Sequence, residues 1–287
     1  MKETIGWIGV GSMGHRMSLH LAKAGCPLVV ADAVNTEKAP AGSTIAKTNA
    51  ELAGKAETVI LSLPDGKVSE AVCRELLEAK PRKVKTVIDT STIGTKAAET
   101  CASLLAAGGI EYVDAPVSGG TSGADKATIA IMLACPQASY ERFRPLMALM
   151  GKPFHVGPKP GQGQAVKVLN NYLSATALAA SCEAVSFGTA LGIDMKVILD
   201  IVNASSGRNS ATEDKFLNRI LHGRYDAGFT AKLQLKDIRL YLEAARAAGI
   251  TDDVAGPVVD LWQRMDAAMP GADITDMYRY TQKRRRS

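Results

Sequence analysis

Apolar runs of strand length recur through the first half of the chain, at residues 5–10, 28–31, 58–63, 86–89 and 110–114. Stretches with helical spacing separate most of them, at 13–24, 67–79 and 96–106. This strand–helix rhythm predicts a parallel sheet with helices on both faces. Two further strands are predicted at 128–133 and 153–156, flanking a helix near 140–150. After Gly157-Pro-Lys-Pro-Gly161 the texture changes. Residues 164–190 read as one helix of about 40 Å, rich in Ala and Ser and so suited to close helix packing. Helical patterns follow near 195–202, 211–221, 233–248 and 254–268, with no strand pattern among them. The expectation is an α/β domain over 1–161 with a doubly wound sheet, then an all-α domain over 162–287. Pro158, Pro160, Gly161 and Gly163 punctuate the boundary, and their composition suggests a joint about which the domains close over a site.

A chain of 287 residues is long enough for two cores, and 46% hydrophobic with 22% charged residues is ordinary for a globular protein. The net charge of +5 comes partly from Lys283-Arg-Arg-Arg286, which reads as a solvated, frayed tail. Without it the chain is close to neutral, so nucleic acid is not an expected partner. The apolar segment 173–180 is bounded by Asn170, Asn171 and Glu183 and is too short to span a bilayer, so no membrane is expected. Five cysteines with no close pair read as reduced thiols. The chain enters a strand almost at once and lacks a signal-peptide pattern. Together these give a cytoplasmic expectation.

Gly9-Val-Gly-Ser-Met-Gly14 lies between a predicted strand and a predicted helix, the setting that makes a glycine pattern a dinucleotide fingerprint. The first glycine permits the turn, the second admits a pyrophosphate, and the third lets helix and strand pack closely. Phosphates would then meet the N–H groups of the helix start. Asp32 closes the next strand, 18 residues beyond Gly14, where a carboxylate accepts from ribose hydroxyls and repels a 2′-phosphate. Ala33, Val34 and Asn35 supply no cation for that phosphate. The cofactor expected is NAD. Gly9, Gly11, Met13, Gly14 and Asp32 are its candidate contacts here.

A nicotinamide enzyme needs a group that handles a proton. Lys167 and Asn171 stand four residues apart in the predicted long helix, so they share a face. None of the seven tyrosines has a lysine four residues on, as a short-chain dehydrogenase would require, and His15, His20, His155 and His222 have no metal-ligand spacing. Lys167 is the best acid/base candidate by position and elimination. For Lys167 taken alone, without its motif, the preferred reading is a solvated helix-face lysine, the usual fate of a lone lysine. An ordinary lysine, with a pKa near ~10.4, is a poor base at neutral pH, so catalysis requires an environment that disfavours the ammonium form.

Four blocks, Gly9–Gly14, Asp114-Ala-Pro-Val-Ser-Gly-Gly120, Gly161–Asn171 and Lys236-Asp237, resemble those of the β-hydroxyacid dehydrogenase family, and their order covers nearly the whole chain. The resemblance implies a Rossmann-type domain followed by a helical domain that builds a subunit interface, hence a homo-oligomer. It implies that Ser118, Gly119 and Gly120 hold the substrate carboxylate, that Lys167 is the acid/base, and that Asn171 orients substrate or lysine. It also implies that Leu63, Pro64, Thr92 and Lys236 contact the cofactor. The chain departs from the family where it has Ala127-Thr128-Ile129 for a common Gly-Thr-Leu, and Ala134-Cys135 for Gly-Gly. Ser205-Ser-Gly-Arg208 resembles a loop near the active site of some members, where Arg208 would meet a second anion or serve as a cap or surface residue.

The expected activity is reversible NAD-dependent oxidation of a small 3-hydroxy acid to its semialdehyde or keto acid. Two alternatives are an imine reductase on the same scaffold and a non-catalytic dinucleotide-binding interaction protein. An intact Lys167 and Asn171 count against both.

Overall fold

A computed structural model of the chain describes residues 3–284. It divides into two compact units, Met1–Lys167 and Val168–Ser287.

The first unit holds the strands β1 (Ile5–Ile8), β2 (Leu28–Ala31), β3 (Thr44–Ile45), β4 (Thr58–Leu61), β5 (Thr86–Asp89), β6 (Glu111–Asp114), β7 (Val117–Ser118), β8 (Ile129–Ala134) and β9 (Gly151–Gly157). Its helices are α1 (Ser12–Lys23), α2 (Asn49–Ala53), α3 (Gly66–Glu78), α4 (Thr95–Ala106), α5 (Gly120–Asp125) and α6 (Gln137–Met147). Among the described residues these strands form one sheet, ordered β3-β2-β1-β4-β5-β6-β8-β7, with β9 paired to β8. The run β3-β2-β1-β4-β5-β6 is parallel and has the order of a dinucleotide-binding sheet. The fully parallel sheet expected from the sequence is corrected at one end. There β8 runs antiparallel to β6 and β7, because residues 119–128, which hold only the six-residue α5, are too few for a parallel crossover from β7 to β8.

Alternation along the strands sorts side chains into two cores. Trp7, Val30, Ile60 and Ile88 join Met17 and Leu21 of α1 in one. Ile8, Val29, Leu61 and Val87 join Leu52, Leu76 and Leu105 in the other. Burial on both faces is what a parallel sheet between two helical layers requires.

The second unit begins within α7 (Gln162–Ala190) and continues through α8 (Met195–Asn203), α9 (Ala231–Ala247), α10 (Ala255–Ala268) and α11 (Met277–Lys283). Trp262, Phe216, Leu178, Ile238 and Met277 pack its core, and the Trp262 indole N–H donates to Ala175 O at 3.4 Å. The helix expected at 211–221 is instead a π-helical turn, Ala211–Phe216, followed by a 3-10 turn, Ile220–His222. Asn209 holds its start, since Ala211 N and Thr212 N donate to Asn209 Oδ1 at 2.9 and 3.3 Å. In the basic tail, Lys283 ends α11 and Arg284 donates to Tyr280 Oη at 2.9 Å. Arg285 and Arg286 lie outside the described residues. Among the described residues no helix is long and apolar enough to cross a membrane, and no cluster of candidate ligands for a metal ion occurs.

Candidate active site

In the first unit, β1, β2, β4, β5 and β6 end at the same edge of the sheet, where ligands of such folds bind. The three fingerprint glycines there have three distinct surroundings. Gly9 has φ +94°, and a Cβ on it would stand 2.3 Å from Ser62 O. A Cβ on Gly14 would stand 2.0 Å from Gly9 O. Around Gly11 nothing lies within 4 Å of a Cβ. Gly9 and Gly14 are therefore glycine for close packing, and Gly11 leaves room beside the start of α1. The buried Trp7 indole N–H donates to Gly9 O at 2.8 Å and fixes the turn from beneath.

Asp32 follows β2 and binds this loop directly. Val10 N donates to its Oδ2 at 2.7 Å, and Val34 N and Asn35 N donate to its Oδ1 at 2.8 and 2.7 Å. Burial acts to raise this carboxyl, but the three backbone donors outweigh it and hold the pKa below the ordinary value. The residue is half-buried and ionised, with one Oδ2 lone pair uncommitted among these bonds. Those features fit an adenosine ribose diol, and the space at Gly11 fits a pyrophosphate. Met13 is half-buried and packs against the core. Leu63 N donates to Ser91 Oγ at 2.8 Å, and the Leu63 Cδ2 would be 3.3 Å from a Cβ on Gly9. Pro64 is exposed and Thr92 half-buried, each just past the end of its strand.

Ser118 pairs with Ala130 in the sheet. Gly119 and Gly120 follow with φ +139° and +64°, and α5 opens on Gly120. A Cβ on Gly119 would press on Ile129 Cα at 3.1 Å, whereas a Cβ on Gly120 would meet nothing within 4 Å. The helix start was not legible in so glycine-rich a stretch. It adds N–H groups to the segment.

Lys167 and Asn171 lie one turn apart on α7 and are each 8% exposed. Lys167 is thus no solvated helix-face lysine. In the second unit, Asn171 Nδ2 donates to Asp237 Oδ2 at 2.6 Å, Lys236 Nζ stands 3.0 Å from Asp237 Oδ1, and Gln234 Nε2 donates to Asn171 O at 3.1 Å. Asp237 therefore joins two residues singled out from the sequence, Asn171 and Lys236. Arg208 is exposed and pairs with Glu213 at 3.6 Å.

Asp114 and Gln164 carried no role in the sequence reading. Asp114, fully buried, ends β6. It accepts at Oδ2 from Gly161 N at 3.0 Å and Gln164 N at 3.1 Å, and at Oδ1 from Gln164 Nε2 at 2.8 Å. Burial pushes its carboxyl up to about 7 against the pull of these donors. A Cβ on Gly163 would lie 2.5 Å from Met132 O and 2.9 Å from Asp114 Oδ2. The glycines at 161 and 163 thus let the start of α7 press on Asp114. A carboxylate closing the apolar run Tyr112-Val113-Asp114-Ala115 was the available signal.

Two family models match the chain: the NAD binding domain of 6-phosphogluconate dehydrogenase over residues 4–159, and the NAD-binding domain of NADP-dependent 3-hydroxyisobutyrate dehydrogenase over 161–281. The chain is 34% identical over 254 residues to 2-(hydroxymethyl)glutarate dehydrogenase of Eubacterium barkeri, covering 86% of this chain and 83% of that one. It is 34% identical over 277 residues to the NAD-dependent L-serine dehydrogenase of Pseudomonas aeruginosa, covering 92% of each. The solved structure of Mycobacterium tuberculosis 3-hydroxyisobutyrate dehydrogenase with L-serine superposes with a TM-score of 0.88 at 28% identity, over 98% of this chain and 99% of that one. A fingerprint built for a dinucleotide, a buried lysine on the long helix and this similarity along the whole length lead to one assignment: the chain belongs to the β-hydroxyacid dehydrogenase family and is an NAD-dependent oxidoreductase.

Proposed function

We propose that Lys167 is the acid/base of this NAD-dependent 3-hydroxyacid dehydrogenase and that its substrates are 3-hydroxypropanoates substituted at C2. The observation that carries the first part is the burial of Lys167, one helical turn from Asn171. The second part rests on a shared chemistry. L-Serine, 3-hydroxyisobutyrate and 2-(hydroxymethyl)glutarate, the compounds in the relatives' names, each place a CH2OH group on the carbon that bears the carboxylate.

NAD, when bound, supplies the hydride acceptor. Gly9, Gly11, Met13, Gly14 and Asp32 would hold it, with Leu63, Pro64, Thr92 and Lys236 as further contacts. Ser118 and the N–H groups of Gly119 and Gly120 take the substrate carboxylate, where the room beside Gly120 admits an anion. Lys167 removes the hydroxyl proton during oxidation and returns it during reduction. Asn171, fixed by Asp237, orients the hydroxyl or the lysine.

Lys167→Ala should lower kcat at least ~10²-fold, the usual cost of lost acid/base catalysis, while NADH affinity measured by fluorescence stays nearly unchanged. Lys167→Arg should not restore oxidation, because a guanidinium keeps its proton. Near-wild-type turnover in a folded alanine variant would overturn the assignment.

We also propose a homo-oligomer formed through the second unit. Leu173 and Phe187 lie on one face of α7 and Leu191 directly follows it; they are 60%, 68% and 65% exposed, and Ile201 of α8 is 62% exposed. Apolar exposure of this kind marks a covered face. Phe187→Asp should lower the mass measured by light scattering, and an unchanged mass in that variant and in Leu173→Asp would exclude this face. A cytoplasmic location fits the five unbridged cysteines.

A further inference from the structure

We propose that Gln164 is a positioning residue that fastens the first turns of α7 to the loops after β5 and β6, and so sets where Lys167 stands. The proposal rests on the reading of Lys167 as acid/base.

Gln164 is fully buried, and its amide uses its whole hydrogen-bonding capacity. Nε2 donates to Asp114 Oδ1 at 2.8 Å and to Ser91 O at 3.0 Å. Oε1 accepts from Ile93 N at 2.9 Å and from Gly94 N at 3.1 Å. Two donors on one side and two lone pairs on the other make the amide a match that few side chains could replace. Glutamate has no donor for Asp114 or Ser91 O, and asparagine is a methylene too short. The Gln164 backbone adds a bond to Asp114 Oδ2 at 3.1 Å.

The partners lie in segments that carry the proposed site. Ser91, Ile93 and Gly94 flank Thr92, and Asp114 opens the segment that leads to Ser118. Lys167 follows Gln164 by three residues, about one turn of the same helix. An α-helix is stiff over one turn, so the placement of Gln164 is inherited by Lys167. Misplacement by about 1 Å in a reacting geometry costs on the order of 10²-fold in rate, so a clamp at this point bears on turnover as well as on folding.

A purely structural role predicts something different, and a double-mutant cycle separates the two. Gln164→Met and Lys167→Ala are made singly and together, and kcat, KM, NADH affinity and melting temperature are measured for each. Gln164→Met should lower kcat by about 10- to 100-fold with NADH affinity nearly unchanged. In the Lys167→Ala background the same change should lower kcat less than about 2-fold, because residues that act as a unit are not additive. Full turnover in folded Gln164→Met, or an equal loss in both backgrounds, would overturn the proposal. Wild-type turnover in Lys167→Ala alone would overturn the lysine assignment instead. If Gln164→Met does not fold, the same cycle is read with Gln164→Glu, which keeps the length and the acceptor for Ile93 and Gly94 but loses both donors.

Discussion

Asp32 follows β2 and Asp114 ends β6, with three strands between them in one sheet. Asp32 accepts from four N–H groups, one at Oδ2 and three at Oδ1, and Asp114 from three, one at Oδ1 and two at Oδ2. Their acidities move in opposite directions. Asp32 is half-buried and held below the ordinary carboxylate value, whereas the fully buried Asp114 is raised to about 7. Several donors act on each carboxylate, yet at Asp114 burial outweighs them, with the nearby Asp89 charge adding to it, whereas at Asp32 the donors win. The difference also matches the work of each end. Asp32 keeps capacity for a ligand, while Asp114 commits its oxygens to the start of α7.

The strongest way to break this comparison is to remove each charge in turn. Asp114→Asn puts an N–H donor against Gln164 Nε2, and flipping the Gln164 amide only moves the mismatch to Ile93 N and Gly94 N. An unsatisfied buried group costs about 1–3 kcal/mol, so urea denaturation at pH 8 should show a loss of about 2 kcal/mol. Asp32→Asn can lose a donor to water at a half-exposed site and should cost under ~1 kcal/mol. It should instead narrow the preference for NAD over NADP, measured as a ratio of kcat/KM values. Equal stability losses in the two variants would refute the contrast.

A smaller effect, per unit of pH, sharpens it. The Asp114 pKa is raised on folding, so between the unfolded value of 3.8 and about 7 the folded state holds a proton that the unfolded state has released. Its contribution to stability is complete below 3.8 and is lost as pH rises through about 7, with a slope approaching ~1.4 kcal/mol per pH unit. Asp89, also raised by burial, acts with the same sign. The Asp32 pKa is lowered, so its contribution is complete above 3.8 and is lost as pH falls through its folded value. Urea midpoints across pH 4–8 should therefore fall less steeply in Asp114→Asn, while Asp32→Asn should leave that window unchanged and alter only the acid limb. An unchanged slope in Asp114→Asn would sink this account.

The parallel core of the sheet was legible because its strands are uninterrupted apolar runs. Leu28–Ala31 and Thr86–Asp89 match from end to end. β3 and β7 are two residues long and have no period to read, and α5 is hidden in a stretch where glycine suggests only a turn. α11 was missed although Asp273-Ile-Thr-Asp276 before it carries a capping pattern, with Asp273 Oδ1 accepting from Thr275 N at 2.9 Å. In the site, the four-residue spacing of Lys167 and Asn171 was visible because both lie on one helix. Gln164 depends on Ser91, 73 residues away, and Asn171 on Asp237, 66 residues away. No local pattern encodes such pairings.

The smallest expected effect comes from a turn that involves neither carboxylate. Ala127 has φ +53°, the one non-glycine positive φ among the described residues, at a position where the family commonly has glycine. An L-residue in this left-handed conformation is strained by about 1–2 kcal/mol, and glycine recovers that strain. Glycine also gives the unfolded chain more freedom, which offsets about 0.5–1 kcal/mol. Ala127→Gly should therefore stabilise the protein by roughly 0.5 kcal/mol, read as a higher urea midpoint with an unchanged m-value. Because no ionisable group is altered, the gain should be the same at pH 5 and pH 8. That makes the variant a pH-flat baseline for the Asp114 and Asp32 slopes. A gain that varies with pH would show that the α5–β8 turn is coupled to one of the two carboxylates, and the contrast between them would then have to include this turn.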